Sequence, residues 1–339
     1  MKKEQARALW DISFNDNEEF TELYFEKRYT DDNTVGIKND EGTIVSVLQL
    51  LPYPFTFLNN KVNSAYISGA CTHPEYRSQG LMPKLMRKSF QKLQQDNIPI
   101  CTLIPAETWL FNYYNRSGFE TLFYSYSHTV EVNKIKNDLS SEIEEYDQVE
   151  HQTHLYLNKK LQELPSAILH TQQDYEVILA DLRLAKGKVF TAYQNNKVVG
   201  MAIAYANPLD KSVYINEMLY DAAVVKEDLL HHIAKYFNCT SFHITSLITD
   251  TRKEPLGMLR IIDVEYILKL FADQKPEWNA VLKIEDELLP VNNGIYVIEK
   301  GNVTKSHQES NQTATLLTVG ELAIHLFENL QPYMSLMLN

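Results

Sequence analysis

The chain has 339 residues, a formal net charge of −12, and 44% hydrophobic and 11% aromatic residues, with 20 Tyr and 14 Phe. At roughly 150 residues per domain this is two domains or a little more, with apolar area that disordered chains lack, so a peptide, a stapled mini-protein and a disordered chain are excluded. Glycine, at 11 residues, stands at about half its usual ~7% share, which excludes Gly-rich linkers, and the acidic balance argues against a nucleic-acid surface because phosphate binding needs clustered Lys and Arg.

Met1 to Arg7 contains no apolar run, so no secretion signal is expected. Residues 3–28 read as two helices, the second starting at Asn15 or Asp16 with Glu18 and Glu19 in its first turn, where negative charge complements the helix dipole. The period then changes. Residues 34–38 and 43–52 are β-like runs joined by Asn39-Asp40-Glu41-Gly42, a hairpin signal, and a third strand covers 64–72. The longest apolar-rich run, 45–58, is broken by Gln49, Pro52 and Pro54, so no membrane span is expected. Leu81 to Leu93 carries apolar residues at a helical period, and Pro99 to Ile104 is a short strand. This makes an α/β domain ending near residue 130.

A faint echo follows. Residues 188–193 and 198–206 form a second hairpin, and Ser212 to Tyr220 parallels Ser64 to Thr72, each followed by a helical pattern. The echo lacks one feature: Asp221, Ala222 and Ala223 stand where the first unit has Arg-x-x-Gly. Beyond residue 255, Met258 to Phe271 reads as a strong helix, 280–284 as a strand, and 295–298 with 303–305 as a hairpin. Thr318-Val319-Gly320-Glu321 is a capping box before an apolar helix. The chain then ends in an apolar segment, Met334 to Leu338 before Asn339. Chain ends are normally polar and frayed, so something is expected to bury it.

Arg77-Ser78-Gln79-Gly80-Leu81-Met82 lies between a strand and a helix, where backbone N–H groups and the helix dipole converge on a point suited to a pyrophosphate. Gly80 has no Cβ to block close approach, and Arg77 supplies charge. Asn112 to Phe119 lies on the helix after the next strand, with Tyr114 four residues before Gly118-Phe119. These two elements resemble the GNAT superfamily of acyl-CoA-dependent N-acyltransferases, whose Arg/Gln-x-x-Gly-x-Gly/Ala loop holds the CoA pyrophosphate. The sequence departs from that pattern at Met82. The wider chain, with Leu9-Trp10, Phe14, Leu50-Leu51-Pro52-Tyr53, a second unit without the loop and a C-terminal helix–sheet unit, is similar to the Eis (enhanced intracellular survival) acetyltransferases.

That resemblance implies a mixed-sheet α/β (α+β) GNAT fold over residues 1–130, a degenerate GNAT-like domain over 131–254, and a sterol-carrier-protein-like α+β domain over 255–339. It implies acetyl-CoA as co-substrate. The strand amides of Ala70, Cys71 and Thr72 would face the pantetheine and thioester, Arg77, Ser78, Gln79, Gly80, Leu81, Met82 and Pro83 the pyrophosphate, and Ala106 and Glu107 a contact beyond the next strand. It makes Tyr114 the proton donor to the departing thiolate and the terminal carboxylate of Asn339 the base, with Glu107 or Glu120 as the alternatives. An ammonium must lose a proton before it attacks, and a carboxylate in a partly apolar site has a pKa raised toward that task. An N–H near Cys71 can stabilise the oxyanion, a role worth ~10²- to 10³-fold. The implied partners are a cationic small-molecule amine or a lysine side chain, and a second copy of the chain in a homo-oligomer.

Other readings of single residues stay open beside this one. Cys71, Cys101 and Cys239 are an odd number without CxxC spacing, so no disulfide framework and no metal site are expected, and the location is expected to be cytoplasmic. Cys71 reads first as a small buried hydrophobe, and Tyr114 can also be read as core. His231 and His232, adjacent on a helix, diverge; His73 reads as a solvated loop residue, and Ser117 lacks a nucleophile elbow. Two other classes of function remain: a lipid-binding protein using the C-terminal unit, and a non-catalytic acyl-CoA sensor.

Overall fold

The computed structural model describes residues 2–135, 140–245, 253–306 and 313–337. Helices α1 (Lys2–Ser13) and α2 (Glu18–Lys27) precede the antiparallel strands β1 (Thr34–Lys38), β2 (Ile44–Phe57) and β3 (Asn60–Thr72), followed by α3 (Leu81–Gln95), β4 (Ile100–Leu103), α4 (Thr108–Asn115) and the long β5 (Glu120–Glu131). This is the expected order. The cap of α2 is Asn17, which accepts the Phe20 N–H at 2.7 Å, one or two residues beyond the expected start. β2 runs through both prolines because they fall where one edge of the strand has no partner: β1 pairs it as far as Gln49 and a later strand takes over at Phe55.

The second stretch contains β6 (Glu142–Tyr146), α5 (His151–Gln162), β7 (Ser166–Ile168), α6 (Gln172–Leu184), the expected hairpin β8 (Lys188–Gln194) and β9 (Lys197–Ala206), then β10 (Ser212–Tyr220), α7 (Ala223–Phe237) and β11 (Ser241–Thr245). The last contains β12 (Lys253–Ile261), α8 (Val264–Gln274), β13 (Ala280–Glu285), β14 (Gly294–Glu299), β15 (Asn302–Ser306), β16 (Thr315–Thr318) and α9 (Val319–Phe327). The Thr318–Glu321 capping box forms as read, in both directions.

One expected element is wrong. The helix read over Met258 to Phe271 is two elements, the end of strand β12 and then α8, capped by Asp263 through the Tyr266 N–H at 2.9 Å. β12 pairs β4 on one edge and β5 on the other, and Gly257 to Ile261 are all buried. A strand covered on both faces reads as a continuous apolar run, which periodicity alone does not separate from a helix.

Among the described residues, a 12-stranded sheet runs β1-β2-β3-β4-β12-β5-β11-β10-β9-β8-β6 with β7 on β2, and a four-stranded sheet runs β15-β14-β13-β16. β5 pairs β12 with its first half and β11 with its second, so the sheet continues past residue 130. Each half of the sheet is sandwiched by helices. Leu9, Trp10 and Tyr24 of α1 and α2 pack on Val47, Leu51 and Tyr66, with α8 and α9 in the same core; Leu85, Phe90 and Phe119 cover the other face. In the second half α5 and α6 cover one face and α7 the other. Burying both faces of a mixed sheet in this way supplies the apolar area that length and composition promised.

Candidate active site

The site starts where two strands part. β3 and β4 pair in parallel only over Ser64 to Tyr66 against Ile100 to Thr102. β3 continues to Thr72, so on the β4 side Ile67 to Thr72 have no strand partner. On its other edge β3 breaks register with β2, Ser68 facing Gln49 and Cys71 facing Val47. Such a bulge turns the backbone and re-aims the residues after it. Gly69 stands in it at φ +59°, and a Cβ there would lie 2.3 Å from the Trp10 ring and 2.4 Å from Gln49 Oε1. The expected Ala70, Cys71 and Thr72 follow directly, Ala70 half-buried and the other two buried.

Past Thr72 a 3-10 turn at Pro74–Tyr76 leads into the loop. Arg77 Nε donates to the Thr72 carbonyl at 3.1 Å, tying the loop to the strand end. Ser78 at φ +62° and Gly80 at φ +71° both take the left-handed conformation, Gly80 standing as the N-cap of α3 without a side-chain cap bond. Backbone N–H groups at such a turn and in the first turn of a helix form an anion cradle. A Cβ on Gly80 would meet nothing within 4 Å, so open space lies above the loop. Ser78, Gln79, Gly80 and Pro83 are exposed, and Leu81 and Met82 are half-buried at the helix start. The unpaired β3 edge and this cradle together fit an extended ligand with an anionic segment, as an acyl-CoA is.

Tyr114 ends α4 and is 8% exposed, its ring edge-on to Tyr113 (5.5 Å) and Phe119 (6.1 Å). Burial, with smaller contributions from Tyr113 and Cys71, pushes its hydroxyl up to about 12, so it carries its proton at neutral pH. Burial also pushes the Cys71 thiol up to about 12, which keeps it un-ionised and removes it as a nucleophile.

The end of the Tyr114 helix is pinned by a residue the sequence reading missed. Arg260 on β12 is fully buried, meets Asp286 with both carboxylate oxygens at 2.7 Å, donates to the Ser117 carbonyl, and lies 4.4 Å over the Phe90 ring. Gly118, at φ +78°, makes room for it: a Cβ would lie 2.0 Å from Arg260 Nη1. The glycine of the Gly-Phe pair therefore makes room for a buried ion pair, whose carboxylate also accepts from Asn292 Nδ2 at 2.9 Å and the Leu289 N–H at 3.0 Å.

Ala106 and Glu107 are exposed at the start of α4, with Glu107 accepting from the Trp109 indole at 2.8 Å. Glu120 is half-buried and accepts from Asn115 Nδ2 at 2.7 Å; burial raises its pKa, and Glu321 adds to the effect. Asn339 lies outside the described residues. Of the apolar segment expected to be buried, Met334 is buried in the core that contains Cys71 and Tyr66, Ser335 to Met337 are half-buried and Leu338 lies outside the described residues; just before that segment the Tyr333 N–H donates to the Ser166 carbonyl at 2.9 Å and its carbonyl accepts from Ile168 at 3.0 Å. His73 caps the 3-10 turn. No group of three or more His, Cys, Asp or Glu among the described residues is placed to hold a metal, and no helix among them is long and apolar enough to cross a membrane.

Residues 2–122 match the family described as acetyltransferase (GNAT) domain. No curated protein matches the chain. Solved structures share the fold over nearly its whole length. A GCN5-related N-acetyltransferase from Anabaena variabilis ATCC 29413 superposes with TM-score 0.78 at 18% identity over 98% of this chain and 96% of that one. One from Kribbella flavida gives 0.73 at 15% over 99% and 95%, and Eis1 from Mycobacterium abscessus 0.72 at 12% over 96% and 86%. The chain thus carries a GNAT acetyltransferase domain in a mixed α/β fold and is a transferase, and that domain implies binding of an acyl-CoA.

Proposed function

We propose that this chain is an acetyl-CoA-dependent N-acetyltransferase that moves the acetyl group directly to a primary amine, on a cationic small molecule or a lysine side chain. In this reading the chain is organised as an Eis-like catalytic unit over 1–130, a degenerate GNAT-like unit over 131–254 and a sterol-carrier-like unit over 255–339, and it works in the cytoplasm as a homo-oligomer. When bound, acetyl-CoA supplies the activated acyl group.

The residues divide the remaining work. The open β3 edge at Ala70, Cys71 and Thr72 receives the pantetheine and thioester and offers an N–H to the developing oxyanion. The loop from Arg77 to Pro83 receives the pyrophosphate, with Ala106 and Glu107 at the mouth. The Asn339 carboxylate takes the ammonium proton. Tyr114 gives its proton to the departing thiolate, and the observation that carries the reading is how its burial suits this task. Tyr114 ends α4 buried against Tyr113 and Phe119, and burial holds its hydroxyl at about 12, so at neutral pH it is a protonated, fixed donor.

The test is thiol release from acetyl-CoA against polyamines, aminoglycosides, amino acids and lysine peptides, with Tyr114→Phe as the control. The variant is expected to lose ~10²- to 10⁴-fold in kcat, the usual worth of a positioned acid, with acetyl-CoA affinity little changed. Equal turnover would overturn the role. A tag fused beyond Asn339 is expected to abolish turnover; a fully active tagged enzyme would move the base to Glu107 or Glu120.

A further inference from the structure

Glu217, on β10, is a completely buried carboxylate that none of the chemistry above uses. It accepts from the Tyr333 hydroxyl at 2.9 and 3.0 Å to its two oxygens, from Ser335 Oγ at 2.6 Å and from the Met218 N–H at 3.2 Å. Both side-chain donors come from the C-terminal tail. A carboxylate taken out of water is costly unless such donors replace the water, so the tail and Glu217 depend on each other.

Its place in the strand is informative. β10 breaks register with β9 between Ile215 and Glu217, leaving Asn216 unpaired, close to where β3 breaks register with β2 between Ser68 and Cys71. With Ser212 set against Ser64, Glu217 matches Gly69 in sequence. In the first unit Gly69 stands in the bulge and is closed over by Trp10 of α1. In the second Glu217 pairs with Ile203 just past the bulge, and its carboxylate is met by the tail.

The tail is also shared between the units residue by residue. Tyr333 packs in the core formed by α5, α6 and the second half of the sheet, whereas Met334 packs in the α1–α2 core with Cys71 and Tyr66, and Met337 lies against that same core. Fixing Tyr333 and Ser335 on the second unit therefore sets where the following residues meet the first.

We infer that Glu217 is a positioning residue: beside the bulge of β10 it clasps Tyr333 and Ser335 of the chain's own tail, and so fixes how Met334 and Met337 seat on the core that contains Cys71. A catalytic consequence rests on the reading that the terminal carboxylate is the base; the clasp itself does not. Two measurements on the full chain separate them. Timed carboxypeptidase digestion of the folded protein reads release of the tail, and acetylation kinetics with acetyl-CoA binding read its placement.

Glu217→Gln is expected to release terminal residues about 10- to 100-fold faster than wild type, because one acceptor oxygen remains for the Tyr333 and Ser335 hydroxyls and the Met218 N–H where there were two. It is expected to lower kcat by at least ~10-fold while acetyl-CoA affinity stays within about twofold, a split that general destabilisation would not give. Tyr333→Phe combined with Ser335→Ala removes the same bonds from the tail side and is expected to match it, which covers the case of a Gln variant that does not fold. Wild-type digestion rates in both folded variants would overturn the clasp. Faster digestion with undiminished kcat would uphold the clasp and overturn the terminal carboxylate as base.

Discussion

β3 and β10 parallel each other in sequence and in pairing, and what surrounds each differs where the first carries the loop proposed to hold the acyl-CoA. Both are antiparallel to the preceding strand, both bulge near matching positions, and among the described residues both pair in parallel with the next strand over three or four residues, Ser64 to Tyr66 and Ser212 to Ile215. The sheet geometry is therefore closely shared. The difference lies in a few side chains. Between β3 and α3 the chain makes a 3-10 turn and two left-handed residues, Ser78 and Gly80, that expose N–H groups; between β10 and α7 only Asp221 and Ala222 intervene, with Ala222 extended and offering no side-chain cap. Keeping a sheet geometry is thus easier than keeping a ligand site, because the site depends on the loop's backbone and the sheet does not.

The largest effect that would sharpen this contrast comes from the bulge of the first unit. Gly69→Ala forces a side chain into φ +59° and against Trp10 and Gln49 at 2.3 and 2.4 Å. Backbone strain and overpacking together are expected to cost about 3 kcal/mol, read as a lower urea midpoint with an unchanged slope. Glu217 is not among the residues at positive φ, so its replacement should spare the strand and affect the tail. An unshifted midpoint for Gly69→Ala would mean that the bulge of the first unit does not depend on a left-handed glycine.

Much of the first unit was legible because its signals are local. A turn glycine, a proline ending a strand, a helical period and the spacing of Tyr114 to Gly118-Phe119 each act within about ten residues. What was missed acts across the chain. Arg260 pairs with Asp286 and reaches the Ser117 carbonyl, 143 residues away, and in sequence it looked like part of an apolar helix. Glu217 reaches Tyr333 across 116 residues, and a lone Glu in a strand gives no sign of that partner. In sequence Gly118 is part of the spacing to Tyr114, and the cationic side chain that fills the space it leaves goes unread. In each case a fully buried charge was the signal, and burial becomes visible only once the sheet is assembled.

A smaller effect separates the two strands by pH. Burial raises the Glu217 carboxyl from 4.5 to about 6, against the lowering pull of Ser335 and Tyr333; Tyr333, the titratable group facing it, is itself pushed well above its ordinary value and stays neutral. Between those values the folded chain holds a proton that the unfolded chain has released. Stability from this group is therefore fully present below about pH 4.5 and lost as pH rises through about 6, a difference of about 2 kcal/mol. Urea titrations of wild type and Glu217→Gln should differ in slope with pH only in that window. Parallel curves would mean that the carboxyl is not buried in solution.

The smallest effect concerns the place in the second unit that corresponds to the phosphate cradle proposed for the first. Asp221 stands there just before α7, and its carboxylate meets Lys160 Nζ at 2.8 Å and the Tyr156 hydroxyl at 3.0 Å. Burial works to raise its pKa, but Lys160 and Tyr156 outweigh it and hold the group below its ordinary value. The negative charge that a helix N-terminus favours is thus supplied by the chain itself, and a phosphate arriving there would meet a carboxylate. Because the pair is partly solvated, Asp221→Asn is expected to change stability by no more than about 1 kcal/mol. Its acetyl-CoA affinity by calorimetry should equal that of wild type, whereas Arg77→Ala should weaken binding measurably. A loss of affinity in Asp221→Asn would place the second helix start in the cofactor site and undo the division of labour between the two units.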